Sequence, residues 1–365
     1  MNSPTIHVPV LLQPVLEGCG LADAAPLDLG PASEDGGMST PSAAAVSSSC
    51  GDSTDSVAGP RILVDGTLGG AGHALRMAEC LGPGDSLIGI DRDPAALERV
   101  RERLLTEMQL SAVPDGEDML VRLPSGCDFV MTCGTYCDLP GLLERRGLGL
   151  ASAILLDLGL SSDQLRDEQR GFSFKASGPL DLRFDPTTGI SAAELLMRRS
   201  EQDIADLIYQ YGEERFSRRI ARAIVERRRT EPIETAKELA DLVHRCVPGR
   251  VHGRIDSATR TFQALRIAVN RELEHVELAM KSLPDCLAIG GRLVVVSFHS
   301  LEDRIVKHAM RGDPRLRVLT KKPIEADEDE VDRNPRSRSA KLRVAVRQEV
   351  PAHSHANGGW HSPGW

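Results

Sequence analysis

Nine consecutive residues, Asp65-Gly66-Thr67-Leu68-Gly69-Gly70-Ala71-Gly72-His73, carry the densest chemical signal in the chain. Their glycines let the backbone turn tightly and let a ligand approach it closely. The dinucleotide fingerprint G-x-G-x-x-G cannot be aligned on them. Asp91 follows 26 residues after Asp65, at the end of the apolar run Ser86–Asp91. A carboxylate in that place accepts hydrogen bonds from ribose hydroxyls. A third acid, Asp157, ends the apolar run AILLD and is followed by Leu158-Gly159-Leu160-Ser161-Ser162. A glycine turn with such an acid is common to nicotinamide and S-adenosylmethionine (SAM) sites, so an adenosine-bearing cofactor is expected.

These residues need a scaffold that brings strand ends together. Arg61–Asp65, Ser86–Asp91, Asp128–Cys133, Ala153–Asp157 and Gly291–Phe298 read as short buried strands. Ala74–Leu81, Pro94–Met108 and Leu301–Met310 read as helices, the last with a Ser300-x-x-Asp303 cap. Ala340–Arg347 alternates and reads as an edge strand. Buried strands separated by helices predict an α/β, Rossmann-like, doubly wound parallel sheet. Ligands then sit beyond the carboxyl ends of the strands, where Asp65, Asp91, Tyr136 and Asp157 are expected to project.

The pattern breaks between about Leu165 and Arg260, where the sequence is helical and charged. Phe216, Ile220 and Ile224 share one face at i, i+4, i+8, with arginines largely off that stripe. The expected plan is a first part of the α/β domain over 1–164, an inserted all-helical domain over 165–260, a second part over 261–350 and a tail over 351–365. Within the first part, 25 of the 40 residues at 21–60 are Ala, Ser, Gly or Pro. Such a segment cannot bury enough surface to offset its ordering entropy, so a disordered insertion is expected.

A chain of 365 residues with net charge −9 argues at first against a nucleic-acid partner. Six of the acids lie in 21–60 and six more in 325–332, and without those two stretches the balance is about +3. A local basic face therefore remains open. No run of 18 apolar residues suggests a membrane span, and the N-terminus lacks the basic region of a secretory signal. Eight cysteines without CxxC spacing among Cys127, Cys133 and Cys137 read as reduced thiols of a cytoplasmic protein, with no metal site expected.

The chain closely resembles the bacterial small-subunit rRNA cytosine-N4 methyltransferase family, known as MraW or RsmH. The matching blocks include HVPVLL (7–12), DGTLGGAGH (65–73), GIDRDPAAL (89–97), LLDLGLSSDQL (155–165) and RGFSFKASGPLDLRFDP (170–186). They continue with GEERFSRRIARAIVERR (212–228), TRTFQALRIAVNRELE (259–274), GGRLVVVSFHSLEDRIVK (290–307) and NPRSRSAKLRVA (334–345). The resemblance implies a SAM-dependent methyltransferase acting on a cytosine N4 amine in the decoding region of small-subunit rRNA. It implies Ala71, Gly72, His73, Asp91, Tyr136, Asp157 and Gln164 as cofactor contacts. Ala71 stands where many relatives have Gly, and Asp163 replaces a common Pro.

A cytosine amine is a poor nucleophile because its lone pair is delocalised into the ring. An acceptor hydrogen-bonded to its protons localises that pair. Amine methyltransferases commonly use an Asp/Asn/Ser-Pro-Pro-aromatic motif, which is missing here. Asp157 is the expected acceptor, with His299 a second candidate. The target base must leave its stack. Phe172 and Phe174 are candidates to stack on it, and core packing is the competing reading. Arg218, Arg219 and Arg222, with Arg336, Arg338 and Lys341, are candidate phosphate contacts. The expected partner is small-subunit rRNA or the small ribosomal subunit, and the sequence leaves the oligomeric state open, a dimer being one option. A nicotinamide-dependent oxidoreductase and a non-catalytic ribosome-assembly factor are the rival readings.

Overall fold

Alternation residue by residue builds the sheet. In β1 (Ile62–Asp65), Leu63 faces one apolar layer while Ile62 and Val64 face the other. β2 (Ser86–Asp91) divides in the same way, Leu87 from Ile88 and Ile90. A strand buried on both faces reads as an unbroken apolar run, which is why these strands were legible in the sequence. A computed structural model describes residues 9–21, 59–116, 118–173, 177–247 and 256–350. Most of the expected insertion (22–58), the tail (351–365) and Phe174 lie outside the described residues.

Seven further strands complete the sheet: β3 (Ala112–Asp115), β4 (Asp118–Arg122), β5 (Asp128–Cys133), β6 (Ala151–Asp157), β7 (Leu287–Ser297), β8 (Leu316–Val318) and β9 (Lys341–Arg347). Their order is β3-β4-β5-β2-β1-β6-β7-β9-β8. The five central strands from β5 to β7 are parallel. β9 runs antiparallel between β7 and β8. It is therefore an interior strand and not the edge that its alternation suggested; β8, three residues long, takes the edge. The β3–β4 hairpin at the other edge was not legible, because Ala112–Asp115 is mostly exposed and carries Pro114.

One face of the sheet is covered by α1 (Leu12–Gly18), α2 (Gly72–Ala78) and α3 (Pro94–Thr106). Asp93 caps α3 by accepting from the Ala95 amide at 3.1 Å, and Pro94 occupies the first turn, where its missing N–H costs nothing. The other face is covered by α4 (Leu139–Arg145) and, later in the chain, by two further helices. Between them lie α5 (Ser162–Arg166), α6 (Ala192–Arg198), α7 (Glu201–Gly212), α8 (Ser217–Arg227), α9 (Ala236–Cys246) and α10 (Thr259–Asn270). α11 (Glu272–Ser282) and α12 (Ser300–Gly312) return to the sheet, and α13 (Glu328–Arg333) holds much of the acidic run.

A separate apolar core joins Ile204 and Ile208 of α7, Ile220 and Ile224 of α8, Leu239 and Val243 of α9, and Phe262 and Leu265 of α10. Because α10 contributes to this core, the chain rejoins the sheet layers at α11 and not near Thr261. Val276, Ala279 and Met280 of α11 pack against the sheet instead. The start of α12 also differs from expectation. Its N-cap is His299, whose ring accepts the Glu302 amide at 3.4 Å, so the Ser300-x-x-Asp303 cap does not form. Asp303 is paired with the buried Arg343 of β9 at 2.6 Å.

Candidate active site

A cleft of about 910 Å³ lies beyond the carboxyl ends of the central strands. It sits where the winding reverses: β2 follows β1 on one side, and β6 lies on the other. Gly72, His73, Asp91, Tyr136, Asp157 and Gln164 line it. Ala71 does not; it is wholly buried as the N-cap of α2, with φ 59° and ψ 25°. That left-handed conformation suits glycine, in keeping with the glycine expected at this place in relatives. At Gly72 a Cβ would lie 2.7 Å from Pro9 Cγ, so the turn also needs the absence of a side chain there.

The turn and the second strand end are tied together. Asp91 Oδ2 accepts from the Gly69 amide at 2.6 Å, and Oδ1 accepts from the Asp93 amide at 2.8 Å. Burial still pushes the Asp91 carboxyl above its ordinary value. The Thr67 hydroxyl accepts from the Asp157 amide at 2.6 Å, fixing the end of β6 against the turn. Asp65, expected at the rim, is 1% exposed and lies behind it. The turn folds back over this carboxylate, which accepts from the Thr67 amide at 3.1 Å, and burial lifts it to about 6.

Asp157 is the distinctive group. Its Oδ1 is buried with no hydrogen-bond partner among the described residues, and Oδ2 lies 3.6 Å from His73 Nδ1. Burial pushes its carboxyl up to about 7, with Arg336 pulling down and Glu302 pushing further up. A buried polar atom left unpaired calls for a ligand or a catalytic role. Gln164, by contrast, is committed to the protein. Its Oε1 accepts the Ser161 amide at 3.1 Å and its Nε2 donates to Asp93 at 3.3 Å. Tyr136 lines the cleft against the apolar layer, and burial raises its hydroxyl well above the ordinary range.

His299 is not among the residues that line the cleft. Its Nδ1 accepts the Glu302 amide, and its buried Nε2 lies 3.1 Å from Glu302 Oε1 without a hydrogen bond among the described residues. Phe298 and Glu302 line the cleft here. Glu302 is buried, which raises its carboxyl, but His299, Arg266 and the Phe298 amide outweigh burial and hold it below its ordinary value. Glu272, His299 and Glu302 bring ligand-type atoms within 4.8 Å of one another. Arg266 engages both Glu272 oxygens, at 2.8 and 2.9 Å, and makes the group a charge network.

Among the candidate RNA contacts, Phe172 is 6% exposed in the helical core. It packs on Phe184 with ring centroids 5.9 Å apart and under the Arg170 guanidinium. It is core, because the segment carrying it closes the helical domain. Arg336 lies in the cleft wall and not on an outer face; it donates to Leu160 O and Ser162 Oγ. Arg218, Arg219, Arg222 and Arg338 are exposed, and Lys341 is half-buried. Arg219 reaches Arg245 O at 3.5 Å and Arg222 lies 3.7 Å from Glu201.

Sequence reasoning missed Glu272, Glu302 and the Asp93–Arg170 pair. Asp93-Pro94 carried a visible capping signal. Nothing local indicated a partner 77 residues away.

The all-parallel order of dinucleotide-binding sheets is interrupted here by the reversed β9. This sheet, with the cleft at its switch point and strand-end acids around a glycine turn, defines a Rossmann-like methyltransferase. The model of the MraW methylase family matches residues 5–348, and the chain belongs to that family. Ribosomal RNA small subunit methyltransferase H of Rhodopirellula baltica is 48% identical over 298 residues, covering 80% of this chain and 86% of the relative. The protein of the same name from Trichlorobacter lovleyi is 46% identical over 303 residues, covering 78% and 91%. Among solved structures, an rRNA methylase from Streptococcus thermophilus aligns with TM-score 0.36 and 10% identity over 80% of this chain and 88% of that one, too distant to add to the fold. These relatives lend no support to an oxidoreductase or a non-catalytic factor.

Proposed function

We propose that the chain methylates the N4 amine of a cytosine in small-subunit rRNA, with SAM as methyl donor and Asp157 as the group that receives the amine. The observation that carries this reading is the Asp157 carboxyl in the cleft wall at the end of β6, with Oδ1 buried and without a hydrogen-bond partner among the described residues and Oδ2 open beside His73. The cleft suits SAM: its walls are largely apolar, and Asp91 and Asp157 stand at the strand ends beside the glycine turn. When bound, SAM supplies a methyl group made electrophilic by a positively charged sulfonium.

The remaining chemistry belongs to the chain. Asp91 accepts from ribose hydroxyls, Tyr136 packs beside the adenine, and the backbone of Gly72 and His73 faces the methionine part. Gln164 braces the Ser161–Asp163 turn. Asp157 accepts a hydrogen bond from the amine, localises its lone pair and takes up the proton that the amine sheds. Holding both groups in line is the larger part of the rate enhancement. His299 supports this wall by fixing Glu302 and the start of α12. Arg218, Arg219, Arg222, Arg338 and Lys341 contact phosphates, and Arg336 secures the Leu160–Ser162 turn beside the base. Among the described residues no helix is long and apolar enough to cross a membrane; the proposed substrate, rRNA or the small subunit, would place the reaction in the cytoplasm.

Calorimetry tests the cofactor assignment: SAM should bind and NAD should not. Binding of NAD without SAM would overturn it. Asp157→Asn should retain SAM binding and lose methyl transfer by about 100-fold or more; full activity would remove Asp157 from its role.

A further inference from the structure

His73 is 5% exposed in the first turn of α2, and its Nε2 lies 3.0 Å from the Val10 carbonyl. A carbonyl only accepts, so Nε2 carries the ring proton and Nδ1 presents a lone pair. That lone pair faces Asp157 Oδ2 at 3.6 Å. Two acceptors facing each other repel, so the contact is favourable only with a proton between them. Asp157 thus has Oδ1 buried, with no hydrogen-bond partner among the described residues, so Oδ2 is the oxygen open both to the imidazole and to the cleft that Asp157 lines.

We propose that His73 is a positioning residue for Asp157 and the onward acceptor of its proton. This rests on the reading of Asp157 as the amine's acceptor. In the resting pair one proton sits on Oδ2, directed at Nδ1. As the methylated amine sheds its proton, a free lone pair of Oδ2 takes it and Oδ2 releases its first proton to Nδ1. One N–H and one O–H bond break, one O–H and one N–H bond form, and each electron pair stays on the atom that loses the proton. The positive charge moves from the substrate to the imidazole, and the proton returns to water by the reverse path after product leaves. The present distance exceeds a hydrogen bond of about 2.8 Å, as catalytic contacts commonly do before substrate closes on them.

The surroundings favour charge on the imidazole. Asp65 of β1 lies behind it, and Glu330 of α13, which accepts the Leu11 amide of the N-terminal segment at 2.6 Å, acts on it from the other side of that segment. Asp157 in turn faces Arg336 and Glu302. Burial alone works against a charged His73 and lowers its pKa, so the ring is neutral until the proton arrives.

Two measurements test the relay. In the ligand-free protein, 15N resonances of His73 should report the Nε2-protonated tautomer. The Nδ1 signal should move as Asp157 titrates and stop moving in Asp157→Asn. An Nδ1-protonated tautomer, or an unchanged titration in Asp157→Asn, overturns the proposal without any need for the His73 variant to fold. In kinetics, His73→Gln should keep SAM affinity within about two-fold, lower kcat about ten-fold and move the acid limb of the kcat–pH profile about one unit toward acid. The wild-type kcat and profile in His73→Gln, with Asp157→Asn inactive, would remove the relay and leave the Asp157 reading standing. Full activity of Asp157→Asn would remove both.

Discussion

Asp93 and Arg170 form an ion pair that solvent barely reaches: Nη1 lies 3.1 Å from Oδ2, and the side chains are 0% and 8% exposed. The pair joins the end of β2, two residues past the ribose acid, to the segment that opens the helical domain. Gln164 donates to the same carboxylate, and Arg170 Nη2 donates to the Arg183 and Phe184 carbonyls at 2.8 and 2.6 Å. Removing the guanidinium leaves the buried carboxylate with the half-buried Arg99, 3.8 Å away, as a distant cationic partner. Arg170→Met should therefore cost about 3–5 kcal/mol in denaturant unfolding, and adding Asp93→Asn should recover part of it. A single-variant cost below about 1 kcal/mol would show that the pair is not buried in solution.

Asp91 holds the glycine turn through the Gly69 amide and the start of α3 through the Asp93 amide, and it is assigned the ribose hydroxyls. Asp91→Ala should weaken SAM binding by about 30-fold or more, the loss expected for charge-assisted hydrogen bonds of 2 kcal/mol or greater. Calorimetry at constant pH reads it directly. Unchanged affinity would show that the ribose is held elsewhere.

Phe172 tests the division between core and RNA surface. Phe172→Ala should destabilise the fold by about 3–5 kcal/mol, as loss of a buried aromatic does. RNA affinity of the fraction still folded should stay near wild type. A stable variant with weakened RNA binding would return Phe172 to the base-stacking role.

The sequence carried the sheet because its central strands are apolar on both faces, and it carried the site because strand ends and a glycine turn are local features. Asp91 and Asp157 were legible for that reason. The Asp93–Arg170 pair and the Glu272–Arg266–Glu302 network were not, since each depends on elements that meet only in three dimensions. Phe172 and Arg336 were misplaced for a related reason. An aromatic or an arginine in a motif gives no sign of whether it faces solvent, and here one fills the helical core while the other braces the cleft wall. Similarly, the alternation in Lys341–Arg347 fits an edge or an interior strand, and only the three-residue β8 decided between them.

Burial raises Asp157 and Asp65 from an ordinary 3.8 to about 7 and about 6. The folded chain therefore binds more protons than the unfolded chain across that interval, and stability falls as pH rises through it. The contribution is fully present below the unfolded value and lost above the folded one. Asp157→Asn should flatten the fall between about pH 4 and 7 and gain up to about 4 kcal/mol above it in denaturant unfolding. A steeper fall in the variant would contradict the assignment of a protonated carboxyl.

The central claim is methyl transfer to a cytosine N4 amine, and its most direct measurement is a labelled-methyl assay on small ribosomal subunits that lack the modification, followed by nucleoside mass spectrometry. The expected product is a single labelled N4-methylated cytidine, absent with Asp157→Asn. Label only in 5-methylcytidine, or no label in rRNA, would contradict it.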